Sequence, residues 1–140
     1  MLLHADFYVH SMNDSLKFYI GALGFTKIDD FEIEGKLVRY LSDGMHSKCR
    51  AVLLKVGMDK AMIELVEFLD NKTDCKSWSR GYITLLVPSI NEKICDLQIK
   101  NINPISDIFY VTCNRFGKSK IVFYSDLDGN KIELLEKITS

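Results

Sequence analysis

Phe123-Tyr124-Ser125-Asp126-Leu127-Asp128-Gly129-Asn130-Lys131-Ile132-Glu133-Leu134-Leu135-Glu136 is the stretch from which the fold can be read. Asp128-Gly129 is a two-residue turn signal, because glycine takes positive φ without steric cost. It lies between two apolar runs, Ile121 to Tyr124 and Ile132 to Leu135, so the stretch reads as a β-hairpin. Neighbouring side chains on a strand point to opposite faces, which sets Glu133 away from Ile132 and Leu134. Earlier in the chain, Ala61-Met62-Ile63-Glu64-Leu65-Val66-Glu67-Phe68 repeats the Ile-Glu-Leu core, again with a second Glu three residues on. Glu67 thus matches Glu136.

Each copy closes a comparable run of chain. Leu3 to Val9 opens the first, followed by Ser11, Asn13 and a helical pattern; Gly81 to Val87 opens the second, followed by Ser89, Asn91 and another. The chain therefore reads as two copies of one strand–helix–strands module, a repeat of roughly seventy residues. Module 1 covers about residues 1–68 and module 2 about 81–140, with a polar linker at 69–80. At 140 residues the two fit one domain, long enough to bury a shared core.

Within module 1 the pattern predicts a strand over residues 2–9. Ser11 or Asn13 caps a helix whose apolar positions are Leu16, Tyr19, Ile20 and Leu23, and Gly24 ends it. Strands follow at 25–33, 50–56 and 61–68, while 36–43 fits either a short helix or a strand, the helix being preferred. Module 2 reads as a strand at 81–87, a helix at about 90–100 ended by Asn101 to Pro104, a strand at 107–113 and the terminal hairpin.

Composition narrows the function classes. Hydrophobic residues make up 47% and charged residues 26%, ordinary for a soluble globular protein. A net charge of −1 offers no basic field to nucleic acid or to an anionic membrane. No apolar run is long enough to span a bilayer, and the N-terminus carries no export signal. The four cysteines, Cys49, Cys75, Cys95 and Cys113, have no metal-type spacing and read as reduced thiols of a cytoplasmic protein.

The opening His4-Ala5-Asp6-Phe7-Tyr8-Val9, then Ser15-Leu16-Lys17-Phe18-Tyr19 and Leu23-Gly24-Phe25, together with the closing Asp126-Leu127-Asp128-Gly129-Asn130-Lys131-Ile132-Glu133-Leu134, resembles the vicinal oxygen chelate superfamily. That group contains glyoxalase I, extradiol dioxygenases, methylmalonyl-CoA epimerase and the fosfomycin and bleomycin resistance proteins. The resemblance covers nearly the whole chain. It implies an α+β fold of two tandem βαβββ modules whose curved mixed sheets enclose a shared cleft, and a homodimer. It also makes the insert from Gly35 to Ser47 a segment lying over that cleft.

Metal-using members draw up to four ligands from the opening and closing strands of both modules. Carried over residue by residue, those places are His4, Glu64, Tyr82 and Glu133. Imidazole nitrogen with carboxylate oxygens suits a divalent ion such as Zn, Ni, Co, Mn or Fe(II), with no organic cofactor implied. The departure is Tyr82, where the metal enzymes usually place His; a neutral phenol is a poor ligand. Glutathione-dependent glyoxalase I fits worse, because its Arg and Asn positions are Tyr8 and Phe68 here. Tyr8, Phe68, Tyr82 and Trp78 suggest an aromatic wall for a small planar or apolar molecule, with Arg50 and Lys55 able to meet an anionic group.

Two readings follow. One is a metal-dependent lyase, isomerase or oxygenase in which His4, Glu64 and Glu133 hold the ion and Glu133, Glu64 or Tyr82 moves a proton. The other is a metal-free protein that binds an aromatic, antibiotic-like molecule. His10 and His46 read as surface or loop residues, with His46 able to reach the cleft if the insert folds over it.

Overall fold

Leu65 and Leu134, both fully buried, mark the centres of two sheets built to one plan. The computed structural model describes residues 4–58, 60–70, 81–113 and 117–138. The chain divides into two compact units, Met1–Arg80 and Gly81–Ser140. The first contains β1 (Ala5–Tyr8), α1 (Met12–Leu16, continued as a π-helical stretch Lys17–Ala22), β2 (Thr26–Glu34), α2 (Lys36–Leu41), β3 (Lys48–Lys55) and β4 (Met62–Phe68). The second contains β5 (Tyr82–Leu86), α3 (Ile90–Ile99), β6 (Phe109–Cys113), β7 (Gly117–Ser125) and β8 (Lys131–Lys137).

The strand orders are β1-β4-β3-β2 and β5-β8-β7-β6. In each sheet the opening strand pairs in parallel with the closing one, and the other pairings are antiparallel. Both units are thus βαβββ, an α+β architecture with mixed sheets. A parallel pair needs a long crossover, and here the helix and two further strands supply it.

In the first unit Ile63 and Leu65 of β4, Val52 and Leu54 of β3, and Phe7 of β1 are buried. They lie on the sheet face that meets Met12, Phe18 and Tyr19 of α1. Burying each such side chain is worth roughly 1.5–3 kcal/mol. In the second unit Ile90 and Leu97 of α3 cover Val122, Tyr124, Ile132 and Leu134. Strand alternation then forces Glu64 and Glu133 onto the opposite face of each sheet.

The second glutamate of each copy is structural. Glu67 Oε1 accepts the backbone N–H of Met12, and Glu136 Oε2 accepts that of Ile90 at 3.0 Å. Each side chain thereby satisfies an otherwise orphaned first-turn donor. Ser11 and Ser89 add matching caps, accepting from Asp14 N and Glu92 N.

The structure corrects three expectations. The apolar face of α1 is Met12, Ser15, Phe18, Tyr19 and Ala22, while Leu16, Ile20 and Leu23 are only half-buried. The π-helical stretch shifts the phase: Leu23 N donates five residues back to Phe18 O, and Phe25 N donates six back to Tyr19 O. Gly24, at φ +76°, then ends the helix. The hairpin is real, but β7 and β8 pair out to Ser125 and Lys131, so the connection is five residues and not two. Asp126 organises it, with Oδ1 accepting from Asp128 N and Asn130 N, and Oδ2 from Asn130 Nδ2. Gly129 sits at φ +85°. His46, expected at the surface or in a loop, lies in the loop between α2 and β3 but is buried.

Candidate metal centre

β1 and β4 run parallel with Asp6 opposite Glu64. Phe7 and Val9 are committed to the buried side, which leaves His4, Asp6 and Tyr8 on the Glu64 face. Three side chains converge there. His4 Nδ1 lies 2.7 Å from Asp6 Oδ1, and His4 Nε2 lies 3.8 Å from Glu64 Oε2. One ligand atom from each of His4, Asp6 and Glu64 falls within 4.8 Å of the others. Burial, then the Asp6 charge, push the Glu64 carboxyl above its ordinary pKa, with His4 pulling the other way.

The far half of the same face is closed by the Gly35–Ser47 segment. Val38 of α2 packs with Cys49, Val66 and Phe68, joined by Tyr8 and Ile33. Tyr8 and His46 both stack on Phe68, at ring separations of 5.4 and 4.5 Å. Burial pushes the Tyr8 phenol up in pKa, helped by nearby Asp6. Asp70 ties the segment down. Its Oδ2 accepts from Ser47 N and Ser47 Oγ at 2.8 and 3.0 Å, and its carbonyl lies 2.6 Å from His46 Nδ1. Hydrogen bonds from Ser47, with a further one from Lys48 N, hold the Asp70 carboxyl at a pKa of about 2.

The second unit repeats the register. Thr84 stands opposite Glu133 on the parallel pair, as Asp6 does opposite Glu64, and Tyr82 holds the place of His4. Burial pushes the Glu133 carboxyl up in pKa. Tyr82 is exposed. Phe123 of β7 stands opposite Glu133 of β8 and meets Phe109 edge-on at 6.5 Å.

No family model and no curated protein matches the sequence. Solved structures do match. A glyoxalase family protein from Bacillus cereus is similar at a TM-score of 0.75 and 16% identity, over 99% of this chain and 94% of that one. The trypanothione-dependent glyoxalase I of Leishmania major gives 0.65 and 22%, over 98% and 86%. A member of the glyoxalase/bleomycin resistance protein/dioxygenase superfamily from Sphaerobacter thermophilus gives 0.60 and 20%, over 97% and 98%. This is the vicinal oxygen chelate fold.

Within that fold, the residues expected at the site fall into three groups. His4 and Glu64 come together, with Tyr8 and Phe68 on the same face of the first sheet. Glu133 and Tyr82 share one face of the second sheet. Arg50 belongs to neither. It pairs with Glu67, on the helix-covered side, because residues 50 and 53 of β3 differ in parity and Leu53 is the one opposite Glu64. Its guanidinium grips Asp30 through Nε and Nη2 at 2.9 and 2.7 Å and donates to Asn13 Oδ1 at 3.0 Å. Trp78 lies outside the described residues.

The superfamily's divalent ion can be tested against this donor set. An imidazole nitrogen and a carboxylate oxygen about 2.1 Å from one ion stand roughly 3 to 4 Å apart, and His4 Nε2 and Glu64 Oε2 do so at 3.8 Å. Burial first, and the Asp6 charge second, raise the Glu64 pKa, and a bound cation would offset both. The residues fit. Sequence reasoning missed Asp6, although the His-x-Asp alternation places it on the His4 face of any strand running through both.

Proposed function

We propose that this chain is a divalent-metal-dependent enzyme acting on a small molecule, with lyase, isomerase or oxygenase chemistry at adjacent oxygens. The observation that carries it is the approach of His4 Nε2 to Glu64 Oε2 at 3.8 Å beside Asp6, on one face of the first sheet. Glu133, at the register of Glu64 in the second unit, is proposed as a metal-ligating carboxylate of the same kind. When bound, the ion would act as a Lewis acid that polarises substrate oxygen.

The protein's own groups would do the rest. Glu64 and Glu133, whose carboxyls burial pushes up in pKa, suit the transfer of a proton to and from substrate carbon. Tyr82 is proposed as a phenolic proton donor. Tyr8 would pack an apolar or planar part of the substrate, while Phe68, expected beside it, is buried beneath the rings of Tyr8 and His46. A cytoplasmic homodimer belongs to the same proposal.

A metal-free binding protein for aromatic molecules is the second reading. It is favoured by Tyr82, a phenol where an imidazole would be the better ligand. Metal analysis of protein purified without chelator separates the two. The enzyme reading expects close to one ion per chain, recovered on adding Ni, Zn, Mn or Fe(II) after stripping. Less than about a tenth of an ion per chain, not restored by any of them, leaves the binding reading.

A further inference from the structure

We infer that Asp6 is the positioning residue of His4: its carboxylate takes the Nδ1 proton in a hydrogen bond and so aims the Nε2 lone pair at the Glu64 side of the sheet. The inference rests on the metal-site reading above and names how that site is set. A carboxylate oxygen 2.7 Å from a ring nitrogen is an attractive contact only when a proton lies between them. An ionised carboxylate has none to give, so the proton belongs to Nδ1. In the neutral ring that leaves Nε2 as the nitrogen with a free electron pair. Nε2 is also the one facing Glu64, at 3.8 Å. Such an outer carboxylate orients a ligating imidazole and raises its basicity.

The repeat supplies an independent observation. The second unit has the same parallel pairing, with Tyr82 and Thr84 at the places of His4 and Asp6. Where the imidazole is absent, its carboxylate is absent too. An acid kept at that register merely for strand solubility would have no reason to follow the histidine. Two strand residues apart on one face, His4 and Asp6 form a unit present in one module and missing from the other.

The test uses the full-length, metal-free protein labelled with ¹⁵N-histidine. Long-range ¹H–¹⁵N correlation reads the tautomer of neutral His4, its signals assigned against His4→Gln. Wild type is expected in the Nδ1–H form. Asp6→Asn keeps an acceptor oxygen and retains that form; Asp6→Ala moves His4 toward the Nε2–H form that free imidazole side chains favour in water. Nickel affinity by calorimetry should fall 10- to 100-fold in Asp6→Ala and be largely rescued in Asp6→Asn. A wild-type Nε2–H tautomer, or a tautomer unmoved by Asp6→Ala, overturns the inference. So does complete loss of nickel binding with the tautomer unchanged, which makes Asp6 a ligand instead. Failure of wild type to bind any metal ends the functional reading, while the tautomer measurement still decides the role of Asp6.

Discussion

Glu64 is held where its charge is unwelcome. Burial and the neighbouring Asp6 both raise its pKa, and only His4 works against them. A carboxyl whose folded pKa exceeds its unfolded value stabilises the chain at low pH, and that contribution is lost as pH rises through the folded pKa. Above that point the ionised side chain is a net cost to the metal-free fold. Glu64→Gln is therefore expected to raise the Tm of metal-free protein at pH 7 and to change it little near pH 4. With metal added the sign reverses. An ion at a hundred times its Kd stabilises wild type by about 2.7 kcal/mol, and the variant forfeits most of that. Thermal melts with and without metal check both signs; a variant that melts like wild type in all conditions contradicts the reading.

The alternation Ile63-Glu64-Leu65 was enough to place this carboxylate, because period-2 patterning is a local property of the strand. Asp6 was harder to see. It is half-exposed, and its meaning comes from a neighbour two residues away and a strand nearly sixty residues on. The surroundings of Arg50 were hidden for a related reason. Its face depends on strand parity, and its partners Asp30 and Asn13 are visible only once β2 and α1 are in place.

The helices and loops are fastened by acids whose roles are long-range. Glu67 and Glu136 each close the first turn of a helix. Glu67→Ala leaves a buried N–H without its acceptor and is expected to cost about 1–3 kcal/mol. Glu136→Ala should cost a similar amount, and Gln at either site should recover much of it by keeping an acceptor oxygen. Denaturant unfolding measures this; a loss below 0.5 kcal/mol in both Ala variants contradicts the capping role. The repeated Glu was plain in the sequence, but its helix-anchoring function was not, since the N–H it serves lies dozens of residues earlier.

Asp70 fastens the α2 segment in the same manner. Its carboxyl, held at about 2 by the Ser47 and Lys48 groups, stabilises the segment above the ordinary carboxylate range near 4 and releases it as pH falls toward 2. The Ser47 amide resonance should therefore titrate with a midpoint near 2. A midpoint near 4 shows that the hydrogen bonds to Asp70 do not form. The short helix at 36–41 was one of two readings its pattern allowed, whereas the π-helical end of α1 and the Asp126-centred hairpin loop were not readable at all. The first depends on backbone hydrogen bonding and the second on the Asp126 carboxylate, neither of which residue periodicity encodes.

Taken as a whole, the chain is one supersecondary plan written twice, with strand order, crossover, capping serine and both glutamates preserved between units. What differs is chemically pointed: His4 and Asp6 in one unit, Tyr82 and Thr84 in the other. Duplication explains why the fold was legible from a sequence that no family model matches, since each copy confirms the reading of the other. The most direct measurement is a crystal structure of protein soaked in Ni or Zn, with anomalous data at the metal's absorption edge. The expected result is one strong peak within about 2.3 Å of both His4 Nε2 and a Glu64 carboxylate oxygen. No peak at full soaking, or one bound elsewhere with His4 and Glu64 untouched, contradicts it.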